Sequence, residues 1–152
     1  MVLKHLSPTT LQQLQQLLEK MNLFAQELET VGQQESEAIR TLNSEQVLQL
    51  TDRRIAAHQQ LGLLERDCRK LLGEQAIPDE LTLESVIDMY AGAQASEFQA
   101  LRRNLYERML RVDKGSQENR MRMLAAYNVS TNILQQLGLI SSEQTYNRRT
   151  AR

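Results

Sequence analysis

The amino-acid sequence predicts an all-α fold: an antiparallel bundle of three long helices plus a short helix, with coiled-coil-like packing and a flexible C-terminal tail. Apolar residues recur at intervals of three and four over long segments, and no run of alternating β-branched residues predicts a strand. Pro (2) and Gly (6) are scarce, so few positions interrupt a helix. We expect residues 1–140 to form a single helical bundle domain and residues 141–152 a flexible polar tail.

The first helix is predicted to begin at Ser7-Pro8. The Ser7 side chain can cap the helix, and Pro8 then occupies a first-turn position where a missing N–H breaks no hydrogen bond. Gly32 and Glu35 interrupt the apolar pattern, which predicts a local weakness or bend. The apolar face covers about three positions in seven, wide enough to contact two neighbouring helices; it comprises Leu11, Leu14, Leu17, Leu18, Met21, Phe24, Ala25, Leu28 and Val31.

The second helix is predicted to begin at Asn43-Ser44, where either residue can serve as the cap. We expect Cys68 to lie on its apolar face as a small buried side chain. Gly73 is predicted to end this helix, and Ile77-Pro78 lies in a loop. The heptad positions of the second helix are Val47, Leu50, Arg54, Ala57, Leu61, Leu64, Cys68 and Leu71.

Two further helices follow the loop. Thr82 can cap a short helix over 83–90, and Gly92 predicts a break after it. The longest helix is expected to open at Ser96 and to end before Gly138. Asn119 falls on its core-facing positions, where an Asn more often fixes register than performs chemistry.

An uncharged segment of twenty residues, 123–142, lies near the end of the chain. Charged residues make up 24% of the sequence, so a gap of this length is unusual. Its Asn, Gln, Ser and Thr side chains exclude a membrane span, while its apolar residues keep helical spacing. Two interpretations remain open: a surface that binds a partner helix, or the inner face of an ordinary bundle helix.

The charges divide the chain into an acidic and a basic part. Residues 1–100 carry a balance of −7 and residues 101–152 a balance of +6, although the net charge is −1. This division favours complementarity within the molecule. A nucleic-acid-binding adaptor is the alternative, and the residues it would use are Arg102, Arg103, Arg108, Arg111, Lys114, Arg120 and Arg122.

No motif in the sequence predicts catalysis or a cofactor. His5 and His58 lack the Glu-x-x-His or Cys neighbours of a metal site, and there is no phosphate-binding Gly-rich loop or Gly-x-Ser-x-Gly. The acidic pairs, such as Glu27 with Glu29, are expected to lie on solvated faces. A single Cys and the absence of a signal peptide indicate a cytoplasmic protein without membrane insertion. We therefore predict no enzyme, no metal and no cofactor.

The sequence resembles the FlgN-type flagellar export chaperones over nearly its whole length. The order of helices matches, as do the late-helix segment 117–120 (QENR) and the Leu137-Gly138-Leu139 segment that precedes Thr145-Tyr146. Arg122 stands where that family usually has a second Asn, and no Gly follows Thr145-Tyr146.

The resemblance implies a cytoplasmic, non-enzymatic chaperone that binds the hook-associated (hook–filament junction) flagellar proteins before export and delivers them to the export gate. It also implies that the C-terminal region binds client helices and that Tyr146 contacts the export machinery. A structural coiled-coil homo-oligomer, or a helical adaptor without a chaperone role, remains the alternative. The expected client-binding residues are Met123, Tyr127, Ile133, Leu134, Leu137 and Ile140.

Overall fold

The computed structural model describes residues 5–138, and these contain four α-helices, one short 3-10 helix and no strand. Helix α1 spans Pro8–Arg40, α2 Ser44–Glu74, α3 Leu83–Tyr90 and α4 Ala95–Gln136, and the 3-10 helix is Gly92–Gln94. The predicted all-α bundle of three long helices and a short one is confirmed. The predicted tail, residues 141–152, lies outside the described residues, as do 139 and 140.

Side-chain caps set the starts of the first three α-helices. Ser7 accepts a hydrogen bond from the Thr10 N–H, and Pro8 follows it in the first turn, as predicted. Asn43 accepts from the Gln46 N–H at 3.1 Å. Thr82 accepts from the Ser85 N–H in the same way. The predicted breaks near Asn43, Ile77-Pro78 and Gly92 are therefore confirmed.

The ends of α1 and α2 share one hydrogen-bonding pattern, in which the chain reverses at a residue with positive φ. After α1 this residue is Leu42 (φ 56°), and the next N–H donates back to the Ala38 carbonyl. After α2 it is Ala76 (φ 58°), and the Ile77 N–H donates to the Leu72 carbonyl. The expectation that Gly73 ends α2 is wrong, because Ala76 supplies the left-handed residue instead.

Helix α1 is the centre of the bundle. It packs against α2 on one side and α4 on the other, and α3 packs against α4. The wide apolar face predicted for α1 is the reason, since a narrower stripe would cover only one neighbour. Helix α2 runs antiparallel to α1 across the short connection after Arg40, and α4 runs parallel to α1, because its core contacts rise along both helices together.

The main hydrophobic core lies at the end of the bundle where α3 sits. Leu14, Leu18 and Phe98, each 1% exposed, meet Val86 and Ile87 of α3 there. Cys68 packs against this cluster while half-buried, and burial raises the pKa of its thiol to about 11. Smaller clusters continue upward between α1, α2 and α4, and then between α1 and α2 alone.

Acidic residues of α1 take part in contacts between helices, which corrects the expectation of purely solvated faces. Glu35 is only 3% exposed and lies 3.5 Å from Arg54 of α2, and α1 continues through it without a break. Burial raises the pKa of Glu35, and the positive charge of Arg54 opposes that rise less strongly. Glu27 pairs with Arg53 of α2 at 2.6 Å. Sequence spacing could not reveal these pairs, since they depend on which helices become neighbours.

Candidate partner-binding surface

Helix α4 is divided into two parts at Asn119. The lower part, residues 95–119, contains every buried residue of the helix: Phe98, Val112 and Asn119 itself. The upper part, residues 120–136, contains none. The helix begins at Ala95 with Gln94 as a cap that makes no side-chain hydrogen bond, one residue before the predicted start at Ser96.

Asn119 fixes the axial register between α4 and α1. Its Nδ2 donates to the Gly32 carbonyl of α1 at 2.9 Å, and its Oδ1 accepts from Arg122 at 2.8 Å. The buried Asn119 amide can make this hydrogen bond at only one register. A shift of α4 along α1 would therefore leave a buried polar group without a hydrogen bond, which costs free energy. The core-facing position predicted for Asn119 is confirmed.

Beyond this contact, α4 is longer than the helix that supports it. From Gly32, α1 continues to Arg40, and from Asn119, α4 continues to Gln136. At a rise of about 1.5 Å per residue these distances are roughly 12 Å and 25 Å. Because the two helices run in the same direction, the last turns of α4 extend past the end of α1.

The core-facing stripe of α4 continues above Asn119, first beside the last turns of α1 and then past the end of α1. Met123, Ile133 and Leu137 follow Asn119 at helical spacing and therefore lie on the same side of the helix. Met123 is 48% exposed, Ile133 50% and Leu137 67%. The stripe that packs on α1 in the lower part thus faces solvent in the upper part.

The other predicted client-binding residues are placed as follows. Tyr127 is 62% exposed on the same helix, and Leu134 is half-buried. Ile140 and Tyr146 lie outside the described residues. We name the segment from Met121 to Leu137, whose last turns lie past the end of α1, the α4 overhang.

Three large apolar residues of the overhang were missed by the sequence reasoning. Met121, Leu124 and Val129 are all more than half exposed and lie off the core-facing stripe. Periodicity alone could not select them, because helical spacing assigns those positions to the polar side. For Leu124 and Val129, the signal that could have found them is the lack of charge on every side of residues 123–138. Met121 lies between Arg120 and Arg122, so the sequence gives no such signal for it.

The charged residues of α4 all lie at or below Arg122, near the base of the overhang. Glu29 of α1 pairs with Arg111 at 3.1 Å and with Arg108 at 3.5 Å. Within α4, Arg122 lies 3.8 Å from Glu118. Basic residues of the lower part of α4 thus form ion pairs with acidic residues of the same molecule. This agrees with the complementarity expected between the acidic residues 1–100 and the basic residues 101–152.

The described residues offer no sign of a metal or membrane site. Residues 5–138 contain no group of three His, Cys, Asp or Glu side chains placed to hold a metal ion. Within the same range, no helix combines the length and the apolar character needed to cross a bilayer.

Comparison with known proteins gives one result. The family model described as FlgN protein matches residues 1–151, which is nearly the entire chain. No curated protein and no solved structure gives a match.

Proposed function

The chain belongs to the FlgN family of flagellar export chaperones, and on that premise we propose that the α4 overhang binds the helical chain ends of hook-associated flagellar proteins before export. The observation that carries this proposal is the continuation of an apolar stripe beyond the helix that covers it. A stripe of this kind is complementary to an amphipathic helix that presents its own apolar face.

The composition of the overhang suits clients that differ in sequence. Met121 and Met123 have unbranched, flexible side chains that adjust to different partner surfaces. The absence of charge from 123 to 138 means that no ion must be desolvated when a helix docks. Burial of one large apolar side chain contributes about 1.5–3 kcal/mol, so a few such contacts suffice for a reversible complex.

The remainder of the proposed role concerns delivery. We propose that the complex forms in the cytoplasm, that Tyr146 contacts the export machinery, and that the chaperone releases its client at the export gate. The chain acts in this scheme by binding and needs no catalytic group, cofactor, metal or nucleic acid.

The test compares two substitutions that introduce the same charge at different depths. Leu137→Asp should abolish binding of a hook-associated protein's terminal helix, because a carboxylate would be desolvated against an apolar face. It should leave the free energy of unfolding nearly unchanged, since Leu137 is 67% exposed. Isothermal titration measures binding, and urea unfolding followed by circular dichroism measures stability.

Leu61→Asp and Leu23→Asp are the controls. Leu61 is 8% exposed in the core, so its substitution should unfold the protein. Leu23 is 63% exposed on α1, so its substitution should affect neither stability nor binding. If Leu137→Asp unfolds the chain as Leu61→Asp does, the overhang is ordinary core; if it binds the client normally, the client site lies elsewhere.

The role of Tyr146 requires a separate test. Tyr146→Ala should preserve folding and client binding, and should reduce export of the client in cells that depend on this chaperone. Loss of client binding by this variant would contradict the proposed division between binding and delivery.

A further inference from the structure

The turn after α1 holds a large apolar side chain in solvent and in an unfavourable backbone conformation. Leu42 is 76% exposed, more than any other large apolar side chain of residues 5–138. Its φ of 56° lies in the left-handed region, where the Cβ of an L-residue crowds the neighbouring backbone. Because the free chain buries so little of this side chain, folding alone gives no reason for an apolar residue at position 42.

Two other helix ends of the same kind show that the turn itself needs no large side chain. Ala76 and Gly138 occupy the equivalent positions after α2 and α4, each with positive φ and an N–H that donates to the carbonyl three residues earlier. After α2, the apolar contact typical of this turn comes from the next residue, Ile77, which is 6% exposed. After α1 the next residue is Asn43, the cap of α2, and Leu42 stays in solvent.

The turn after α1 lies level with the middle of the α4 overhang. From the Gly32–Asn119 contact, Arg40 lies eight residues further along α1, and Tyr127 lies eight residues further along α4. Because the two helices run in the same direction with the same rise per residue, the end of α1 is level with Tyr127. Leu42 follows just beyond that end, so the rest of the overhang rises past it.

A client helix bound to this upper part of the overhang would take the place that a longer α1 would occupy. Ile133 and Leu137 belong to the stripe on which α1 packs lower down. A helix that packs on them at the usual separation of about 8–10 Å therefore lies in line with α1. Its near end meets the turn 41–43, in which Leu42 is the apolar residue.

We propose that Leu42 is a binding residue for the client helix and forms the end wall of the client site. This inference rests on the function proposed above for the α4 overhang. The side of the client helix packs on Ile133 and Leu137, and its near end packs on Leu42. Binding removes from water a side chain that the free chain leaves exposed, and this burial favours the complex. The same turn sets how far the client helix can shift toward the base of the overhang.

Titration with a peptide comprising a hook-associated protein's terminal helix tests the side chain at position 42. Leu42→Asn keeps a residue that tolerates positive φ but removes the apolar surface. Its Kd should rise about 5- to 20-fold, the loss expected for one partly buried apolar contact. Leu42→Met retains an apolar side chain of similar volume and should bind within about twofold of the unaltered chain. Thermal unfolding should show that Leu42→Asn is at least as stable as the unaltered chain.

Ala76→Asn is the matched control. It places the same side chain at the equivalent position after α2, which lies near the start of α1 and far from the overhang. Its Kd should equal that of the unaltered chain. Normal binding by Leu42→Asn would overturn the inference, and so would equal losses in Leu42→Asn and Ala76→Asn, because the effect would then not be local to the overhang.

The Leu137→Asp variant separates this inference from the proposed function. If Leu137→Asp loses binding while Leu42→Asn binds normally, the overhang remains the client site and only the role of Leu42 is wrong. If Leu137→Asp binds normally, both are wrong.

A photo-crosslinking residue placed at position 42 or at position 137 tests the alignment of the client helix. The two positions are separated by roughly 12 Å along α4, the length of about eight helical residues. The client residues linked from position 42 should lie at one end of the client helix, and those linked from position 137 about two turns further along it. Links from both positions to the same client residues, or no link from position 42, would overturn the assignment of Leu42 as the end wall.

Discussion

The lower and upper parts of α4 carry the same pattern of apolar residues, yet only the lower part is covered. Phe98 is 1% exposed in the lower part, and Leu137 is 67% exposed in the upper part. The difference follows from the length of α1 beyond the Gly32–Asn119 contact, because the spacing of apolar residues is the same in a stripe with a partner and in one without. Amphipathic spacing therefore identifies a face that can be buried, and the lengths of neighbouring helices decide whether it is.

The two parts also differ in what maintains the helix. In the lower part, tertiary packing supplies most of the stability, as it does for helices in general. In the upper part, Val129 and Thr131 are β-branched, and Ser130 and Asn132 compete for backbone hydrogen bonds. The overhang is helical because it continues a helix that is already nucleated below it.

The largest expected difference between the two parts appears on truncation to Ala. Phe98→Ala should lower the free energy of unfolding by about 3–5 kcal/mol, because it leaves a cavity in the main core. Leu137→Ala should change it by less than about 0.5 kcal/mol. Urea unfolding with an unchanged m-value measures both free energies. Equal losses of unfolding free energy at Phe98 and Leu137 would contradict the difference in burial between the lower and upper parts of α4.

A smaller effect is expected at the boundary itself. Asn119→Ala removes the hydrogen bond to the Gly32 carbonyl and should cost about 1–2 kcal/mol. Arg122→Ala removes the other hydrogen bond of Asn119, but at an exposed position, and should cost less than about 0.5 kcal/mol. Thermal unfolding of the two variants would contradict this account if Arg122→Ala were the more damaging.

Two glycines, Gly115 within α4 and Gly138 just after it, should respond to Ala in opposite directions. A Cβ at Gly115 meets nothing within 4 Å, so Gly115→Ala should stabilise the protein by about 0.5–1 kcal/mol through helix propensity. Gly138 has φ +77°, a conformation that Ala adopts poorly, so Gly138→Ala should destabilise the end of the overhang. Far-UV circular dichroism during thermal unfolding measures both, and equal shifts would contradict the assignment of Gly138 as the helix terminator.

The smallest expected effect is a dependence of stability on pH at Glu35. The folded state holds the pKa of Glu35 above its ordinary value of 4.5, so the folded state binds the proton more tightly than the unfolded state. Stability from this group is present below pH 4.5 and is lost as pH rises through the folded pKa. The unfolding free energy of the unaltered chain minus that of Glu35→Gln should therefore fall over this range.

The unfolding free energies of the unaltered chain and of Glu35→Gln must be subtracted at each pH, because His58, present in both proteins, also changes its charge at acidic pH. Burial, and then the charge of Arg54, lower the pKa of His58 below 6.5 in the folded protein. Its contribution has the opposite sign, since it is lost as pH falls. A difference between the two proteins that rises with pH would overturn the assignment for Glu35.

Most of the fold could be predicted from sequence because its signals are local. The caps at Ser7 and Asn43, the break at Gly92 and the apolar face of α1 each depend on residues within a few positions of one another. The end of α2 could not be predicted from the sequence, because Ala76 adopts a left-handed conformation in which Gly is the expected residue. Hydrogen bonds at the helix end stabilise that conformation there.

The candidate site could be predicted only in part, because one of its properties is local in the sequence and another depends on a distant helix. Met123, Tyr127 and Ile133 belong to an uncharged segment, and charge can be read from the sequence. Their exposure cannot, because it depends on where a different helix ends. The inter-helix roles of Glu29 and Glu35 were missed for the same reason, and whether the overhang binds a client remains a prediction.

The contact between Asn119 and Gly32 joins residues 87 positions apart in the chain. Helices α1 and α2, by contrast, are joined by a connection of only a few residues. Closing a long loop costs more chain entropy than closing a short one, so the α1–α2 hairpin should form early in folding and α4 should dock late. We expect the native protein to open partially in the reverse order, with α4 separating first, so the amide protons of α4 should exchange with solvent sooner than those of α1.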